Sequence, residues 1–244
     1  KSVKNLDSFL IPVSMSSSGT ISAENKALVL FSAGQDSTTC LAWALKKFSE
    51  VHALTIDYGQ RHRIEIEQAR KIAGILKIPH EVFILDLFSK CKENALTHPE
   101  QIITPGTDQE LPTTFVPGRN LIFLSVAAMK AYQLGIKYIV AGVCQTDYSG
   151  YPDCREEFIR SFEKTINLAM LSNFNIQTPL MFLTKKQSIT LMRDLGKLEL
   201  LEHSHTCYEG RRPACRKCPA CLLRLKGFKE AGIIDPLEYQ SGIA

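Results

Sequence analysis

Apolar runs of strand length alternate along this chain with segments whose apolar positions recur at helical spacing. That alternation is the pattern of βαβ units around a parallel sheet. Strands are predicted at Ala27 to Phe31, Val51 to Ile56, Glu81 to Leu85 and Lys137 to Ala141, with a short extended piece at Ile176 to Leu180. Helices are predicted from about Asp36 to Phe48, around Ala69, Ile72, Ala73 and Leu76, from Asn120 to Leu134, and from Arg155 to Leu171. In the third of these, Leu121, Leu124, Ala128 and Ala131 are the expected inward positions. Thr184 with Gln187 three residues on is a capping box, opening a helix that ends at Gly196. The fold class that follows is α/β, a doubly wound parallel sheet whose ligands sit at the carboxyl ends of its strands.

Two stretches break the alternation. Residues 1–25 contain a serine-rich run around Gly19 and are expected to be a flexible leader outside the catalytic fold. A signal peptide is a poor reading, because the apolar piece Phe9 to Val13 is short and contains Pro12. Thr97 to Gly118 carries Pro99, Pro105, Pro112 and Pro117, and a loop of that length inside a domain is usually functional or disordered. The expected organisation is an α/β domain over 26–200 and a metal-binding C-terminal segment over 201–244. With 244 residues the chain is long enough to bury a core without disulfides. No apolar run approaches the roughly 20 residues of a membrane span.

The turn after the first strand is the most informative local feature. Ala27-Leu-Val-Leu-Phe-Ser-Ala-Gly-Gln-Asp-Ser-Thr-Thr-Cys40 runs from an apolar strand through small residues into a helix. Such a turn aims unpaired N–H groups and the positive end of the helix dipole at a bound phosphate. The plain alternative is an ordinary βα turn. No lysine follows the glycine, so this is not a Walker loop, and the dinucleotide glycine pattern is absent too. Ser32-Ala-Gly-Gln-Asp-Ser37 is similar to the S-G-G-x-D-S loop of the ATP-pyrophosphatases, which implies an ATP-binding segment over Phe31, Ser32, Ala33, Gly34, Gln35, Asp36, Ser37, Thr38, Thr39, Cys40 and Leu41. Ala33 replaces a glycine of that motif, and its methyl group is expected to require a negative φ.

Eight cysteines are present, four scattered and four crowded near the C-terminus. Their uneven spacing, without a signal segment, fits a reduced cytoplasmic protein. Cys207, Cys215, Cys218 and Cys221 form C-x7-C-x2-C-x2-C, a set suited to one tetrahedral Zn²⁺. An iron–sulfur cluster is the main rival and a disulfide pair the bland one; His203 and His205 stand near enough to replace a ligand. From Cys207 to Lys229 seven cations face Glu209 alone, whereas the whole chain is only +4. Some of that charge is expected to offset metal thiolates and the rest to meet phosphates. No aromatic ladder interleaves it, so direct nucleic-acid binding is not expected.

Three further loops carry polar chemistry. In Phe115-Val-Pro-Gly-Arg-Asn120, Gly118 permits an unusual turn and Arg119 offers a paired-donor guanidinium at a helix start, suited to phosphate or carboxylate. Gly142 to Arg155 contains Asp147, Tyr151 and Asp153, residue types that read and stack on a guanine-like base. A surface turn capped by aspartate is the alternative. In Asp57-Tyr-Gly-Gln-Arg-His62, Arg61 or His62 is a candidate for the ATP phosphates.

Taken in order from Lys26 to about Ile234, these segments, with Thr178-Pro-Leu-Met181 and the cysteine tail, resemble the 7-cyano-7-deazaguanine synthase family of the queuosine pathway. The resemblance implies an ATP-dependent carbon–nitrogen ligase that converts 7-carboxy-7-deazaguanine and ammonia to the nitrile, with Mg²⁺ on the ATP and Zn²⁺ on Cys207, Cys215, Cys218 and Cys221. Under it, Asp36, Ser37 and Arg119 are candidate catalytic residues, with Asp36 holding Mg²⁺ or orienting the loop. Arg61, Arg119, Asp147, Tyr151 and Asp153 are candidate substrate contacts. The expected partners are small molecules and a second copy of the chain, with no membrane. The runner-up is a tRNA sulfurtransferase with the same loop, which requires a persulfide or cluster cysteine beside the ATP. A zinc-ribbon nucleic-acid-binding protein that keeps an ATP fold is a third reading.

Overall fold

The computed structural model describes residues 25–60, 64–88, 95–96, 102–104, 111–146 and 151–241. Five strands, β1 (Lys26–Leu30), β2 (Glu50–Asp57), β3 (His80–Ile84), β4 (Tyr138–Val140) and β5 (Asn175–Gln177), form one sheet in the order β3-β2-β1-β4-β5. Every pairing is parallel. The order reverses between β1 and β4, so their carboxyl ends flank the crevice where doubly wound folds hold ligands. The α/β expectation holds, with the limits of β1 to β4 within one residue of the predicted ones; β5 ends three residues earlier than expected, at Gln177.

The sheet is covered on both faces because its central strands are apolar throughout. Helices α1 (Gln35–Lys47) and α2 (Ile64–Leu76) pack on one face, where Val29, Phe31, Leu41, Ala44, Ala53, Ala69 and Ile72 share a buried cluster. Helices α3 (Arg119–Gln133) and α4 (Glu156–Met170) cover the other, around Leu28, Leu54, Leu124, Ile139, Ile159 and Phe162. Leu124, Ala128 and Ala131 point inward as expected. Leu121 does not: it is 42% exposed. It sits one turn ahead of Ser125 on the outer side, where the α3 stripe facing the sheet has already turned away.

Thr184 caps α5 (Lys185–Asp194) through the predicted box, its backbone N–H donating to Gln187 Oε1 at 2.8 Å and its side chain accepting from the Gln187 N–H. The C-terminal segment then folds back as α6 (Pro219–Ala231). Its Phe228 joins Ile189 and Met192 of α5 and Ala42 of α1 in one buried cluster. Arg224 of α6, counted above among free cations, is spent internally. It is 1% exposed, makes a paired 2.8 Å contact with Asp235, and donates to Ser204 and to the Leu201 carbonyl. Much of the long loop, residues 97–101 and 105–110, lies outside the described residues. Among the described residues, no helix is long and apolar enough to cross a membrane.

Candidate active site

The turn from β1 to α1 is held by its own serines. Ser37 Oγ accepts from the Ser32 N–H at 3.2 Å and donates to the Gly34 carbonyl at 3.2 Å, while the two serine hydroxyls meet at 3.1 Å. The first bond of α1 runs from the Thr38 N–H to Gly34 O, and no side chain caps the helix. Its first-turn donors therefore face the crevice, in the geometry that binds phosphate. Both amide atoms of Gln35 and the Thr38 hydroxyl are buried without a hydrogen-bond partner among the described residues. Gly142, just past β4, packs against this turn so closely that a Cβ there would lie 3.0 Å from the Ser37 nitrogen.

Ala33 corrects the expectation of a negative φ. It stands at φ +58° and is fully buried, so the methyl group is accommodated in the left-handed region. An L-residue pays about 1–2 kcal/mol for that conformation. The surrounding contacts hold it there: its carbonyl accepts the His205 N–H at 2.8 Å.

A cation that sequence reading passed over completes the loop. Lys185, the first residue of α5, places Nζ 2.9 and 2.8 Å from the two carboxylate oxygens of Asp36. The residues are 149 apart in sequence, so no local motif reveals the pair. The capping box at Thr184 sets the start of α5, and Gly227 of α6 leaves room for the lysine stem. A Cβ at Gly227 would lie 2.6 Å from Lys185 Cγ. The loop's aspartate is thus paired with a lysine 149 residues further along the chain.

A second group of side chains converges at the carboxyl edge of the sheet. Arg119 begins α3 behind Gly118, whose φ of +70° supports the predicted turn. Its guanidinium lies within electrostatic reach of Tyr58 and 5.9 Å from the Tyr151 ring centroid. Burial works against the charge, but Tyr58, Tyr151 and Tyr208 raise the Arg119 pKa, so it stays protonated. Among the described residues no carboxylate pairs with it within 4.0 Å. Tyr151 stacks beside Phe115 at 5.6 Å, its hydroxyl shares a 2.6 Å hydrogen bond with Thr114, and Tyr208 lies within its electrostatic reach. Asp153 is buried and accepts the Asn120 N–H at 3.0 Å through Oδ2, which supports the start of α3. Arg61, His62 and Asp147 lie outside the described residues. Tyr58, Glu65, Lys185 and Tyr208 were not anticipated from the sequence.

The four C-terminal cysteines come together as expected. All are buried, and their sulfurs lie within 4.8 Å of one another. The Cys215 and Cys221 sulfurs are 3.9 Å apart, close to the separation of about 3.8 Å that tetrahedral Zn–S bonds of about 2.3 Å require. The N–H groups of Cys215 and Cys218 point at the Cys207 and Cys215 sulfurs. Contacts with the Cys218 thiol, then the Cys221 thiol, lower the Cys207 pKa. The donor set fits a divalent metal. His203 and His205 are not part of it; His205 instead hydrogen-bonds the Cys207 carbonyl through Nε2. Two of the other described cysteines, Cys40 and Cys154, are poor nucleophiles. Burial raises Cys40 well above its ordinary value and pushes Cys154 up to about 12.

Comparison with known proteins decides the family. The family described as "Queuosine biosynthesis protein QueC" matches residues 26–232. The chain belongs to the QueC family. Among curated relatives, the 7-cyano-7-deazaguanine synthase of Laribacter hongkongensis is 54% identical over 213 residues, covering 86% of this chain and 93% of its own. That of Bacillus subtilis is 50% identical over 209 residues, covering 85% and 95%. A 4-thiouridine synthetase solved with RNA and ATP shares 18% identity over 84% of this chain and 53% of its own, with a TM-score of 0.48. That likeness is too remote to bear on activity. The matched QueC segment spans the ATP-type loop, the Arg119 cluster and all four metal-site cysteines.

Proposed function

We propose that this protein is a 7-cyano-7-deazaguanine synthase, an ATP-dependent carbon–nitrogen ligase acting on 7-carboxy-7-deazaguanine and ammonia. The observation that carries the reading is that one carboxyl edge of the sheet holds both an uncapped phosphate-type loop and Arg119, a protonated guanidinium lacking a carboxylate partner among the described residues. A carboxylate substrate supplies that partner through paired hydrogen bonds.

The chemistry calls for this arrangement. A carboxylate is a poor electrophile, so its oxygen must first bond to the ATP α-phosphorus, expelling pyrophosphate, before ammonia can attack the carbon. The loop N–H groups, Ser32 and Ser37 hold the phosphates. Lys185 turns from Asp36 to the polyphosphate, and Asp36 is then the carboxylate that would hold Mg²⁺. That ion supplies charge neutralisation along the polyphosphate. Arg119 holds the reacting carboxylate and stabilises charge that develops there. Tyr151 stacks on the bicyclic base, and Asp147 or Asp153 reads its N1–H and amino group. A second activation, of the amide oxygen, leads to the nitrile. Positioning supplies most of the catalysis.

Cys207, Cys215, Cys218 and Cys221 would hold Zn²⁺, which supplies a redox-inert brace for the tail. The assembly proposed is a homodimer in the cytoplasm, and Leu121, Met129 and Tyr132, exposed along one side of α3, support a second copy seated there. The ligase reading is tested by incubating the protein with 7-carboxy-7-deazaguanine, ammonium and Mg-ATP. Mass spectrometry should find the nitrile together with AMP. ATP consumption that is indifferent to the carboxylate substrate would overturn the assignment.

A further inference from the structure

Glu65 is the second residue of α2, at the carboxyl end of β2 and so on the ligand side of the sheet. It is partly buried, and its carboxylate carries no hydrogen bond or ion pair among the described residues. It lies within electrostatic reach of Arg119 on α3 and of Tyr58 beyond β2. A partly buried carboxylate with no donor among the described residues is costly, and proteins keep such groups where something arrives to use them. The position narrows what that is. If Arg119 grips the substrate carboxylate, a group beside Arg119 faces the reacting carbon, and the N1–H edge of the base lies across the bicycle.

Resting on the synthase reading, we propose that Glu65 is a catalytic proton acceptor that takes protons from the incoming nitrogen. In the first half-reaction the ammonia lone pair forms the C–N bond, the acyl C–O bond breaks and AMP leaves. The resulting ammonium nitrogen gives one proton to Glu65, which leaves the neutral amide. After the amide oxygen has attacked the ATP α-phosphorus and expelled pyrophosphate, the nitrogen carries two protons. Both are lost as the second C–O bond breaks and the C≡N bond forms. Glu65 accepts each in turn and returns it to water between steps. No oxidant or reductant is needed.

The charged and titratable groups facing Glu65 fit this role. Tyr58 is neutral, its pKa raised by burial, as is that of Tyr208, which lies with Tyr151 beyond Arg119. Among the described residues Arg119 alone is charged, and it favours the carboxylate form. Desolvation outweighs Arg119 and pushes Glu65 up to about 7, where a carboxylate is a stronger base yet still substantially ionised at neutral pH.

The variant Glu65→Gln separates this role from binding. Activation of the carboxylate needs no ammonia, so exchange of labelled pyrophosphate into ATP, dependent on 7-carboxy-7-deazaguanine, should stay within about twofold of the unmodified protein. Ammonium-dependent amide and nitrile formation should fall by about 10²-fold or more. The acid limb of the rate at constant free ammonia, near pH 7 in the unmodified protein, should vanish. Glu65→Asp should restore part of the rate together with a shifted limb. Unchanged turnover and pH profile in Glu65→Gln would overturn the assignment, and so would loss of exchange in parallel with turnover, which marks a binding residue. Failure of the synthase reading is distinguishable, because the unmodified protein would then show no carboxylate-dependent exchange.

Discussion

The backbone N–H of His205 donates to the carbonyl oxygen of Ala33 at 2.8 Å. One residue belongs to the nucleotide-type loop and the other lies two positions before Cys207 of the metal set. The tail therefore touches the loop at the one position whose backbone is held in the left-handed region.

That contact makes the loop sensitive to the metal. Chelation, or Cys215→Ser, should loosen the segment 203–207 and release the Ala33 carbonyl. One hydrogen bond contributes about 0.5–1.5 kcal/mol net, so ATP should bind roughly threefold to tenfold more weakly. Calorimetry of ATP binding checks this, with far-ultraviolet circular dichroism to show that the α/β body persists. An unchanged dissociation constant would mean that the tail braces itself and nothing else.

Lys185 and Asp36 make a second long-range pair, and removing the lysine should act on ligand rather than on folding. The pair is partly exposed, so its own contribution to stability is small, about 0–1 kcal/mol. A charge-assisted contact to phosphate is worth more, about 1.5–3 kcal/mol. Lys185→Met should therefore weaken ATP binding about tenfold to a hundredfold while moving the melting temperature by only a few degrees. A variant that binds ATP normally would remove Lys185 from the site.

Gly227 tests the same lysine from behind. Its missing side chain is what lets α6 close on Lys185, with Cγ and Cβ of the lysine 2.6 and 3.0 Å from a Cβ placed there and Ile189 Cδ1 at 3.0 Å. The clashing atoms are near the root of the lysine, so the helices must separate. Gly227→Ala should cost about 1–3 kcal/mol by overpacking, although alanine is the better helix former. Denaturant unfolding measures it. Unchanged stability would show that α6 slides without resistance.

Most of the fold could be read from the chain because period is a local property. The strands, the helix faces, the capping box at Thr184 and the four metal-site cysteines each sit within a few residues of one another. What escaped was assembled across the fold. Lys185 meets Asp36 from α5, His205 meets Ala33 from the tail, and Glu65 and Tyr208 approach Arg119 from two other segments. Each reads as an ordinary polar position until the topology closes. Leu121 and Arg224 failed for the opposite reason: residue type predicted burial for the leucine and exposure for the arginine, and tertiary neighbours reversed both.

Ala33 sets three effects of similar size against one another. Ala33→Gly removes strain of about 1–2 kcal/mol at φ +58°. It also gives up a buried methyl group, about 0.8 kcal/mol, and loosens the unfolded chain by about 0.4–1 kcal/mol. The two losses nearly cancel the gain, so stability should change by less than about 1 kcal/mol in either direction. A loss above about 2 kcal/mol would show that the methyl contacts, rather than the backbone, dominate this turn.

Glu65 carries a stability signature of its own, separate from rate. Its ordinary value near 4.5 is raised to about 7 in the folded protein, so between these pH values the native state binds the proton more tightly than the unfolded chain does. Stability contributed by this group is then lost as pH climbs through that window, because ionisation leaves a charge in a desolvated place. Glutamine cannot ionise. Glu65→Gln should therefore match the unmodified protein near pH 4.5 and be the more stable of the two at pH 8. The full shift corresponds to the order of 3 kcal/mol, and partial exposure of the side chain reduces this towards 1. Paired urea titrations at the two pH values measure the difference. A variant that is less stable at pH 8 would mean that the carboxylate is held by a favourable contact, and that its raised affinity for protons has been misjudged.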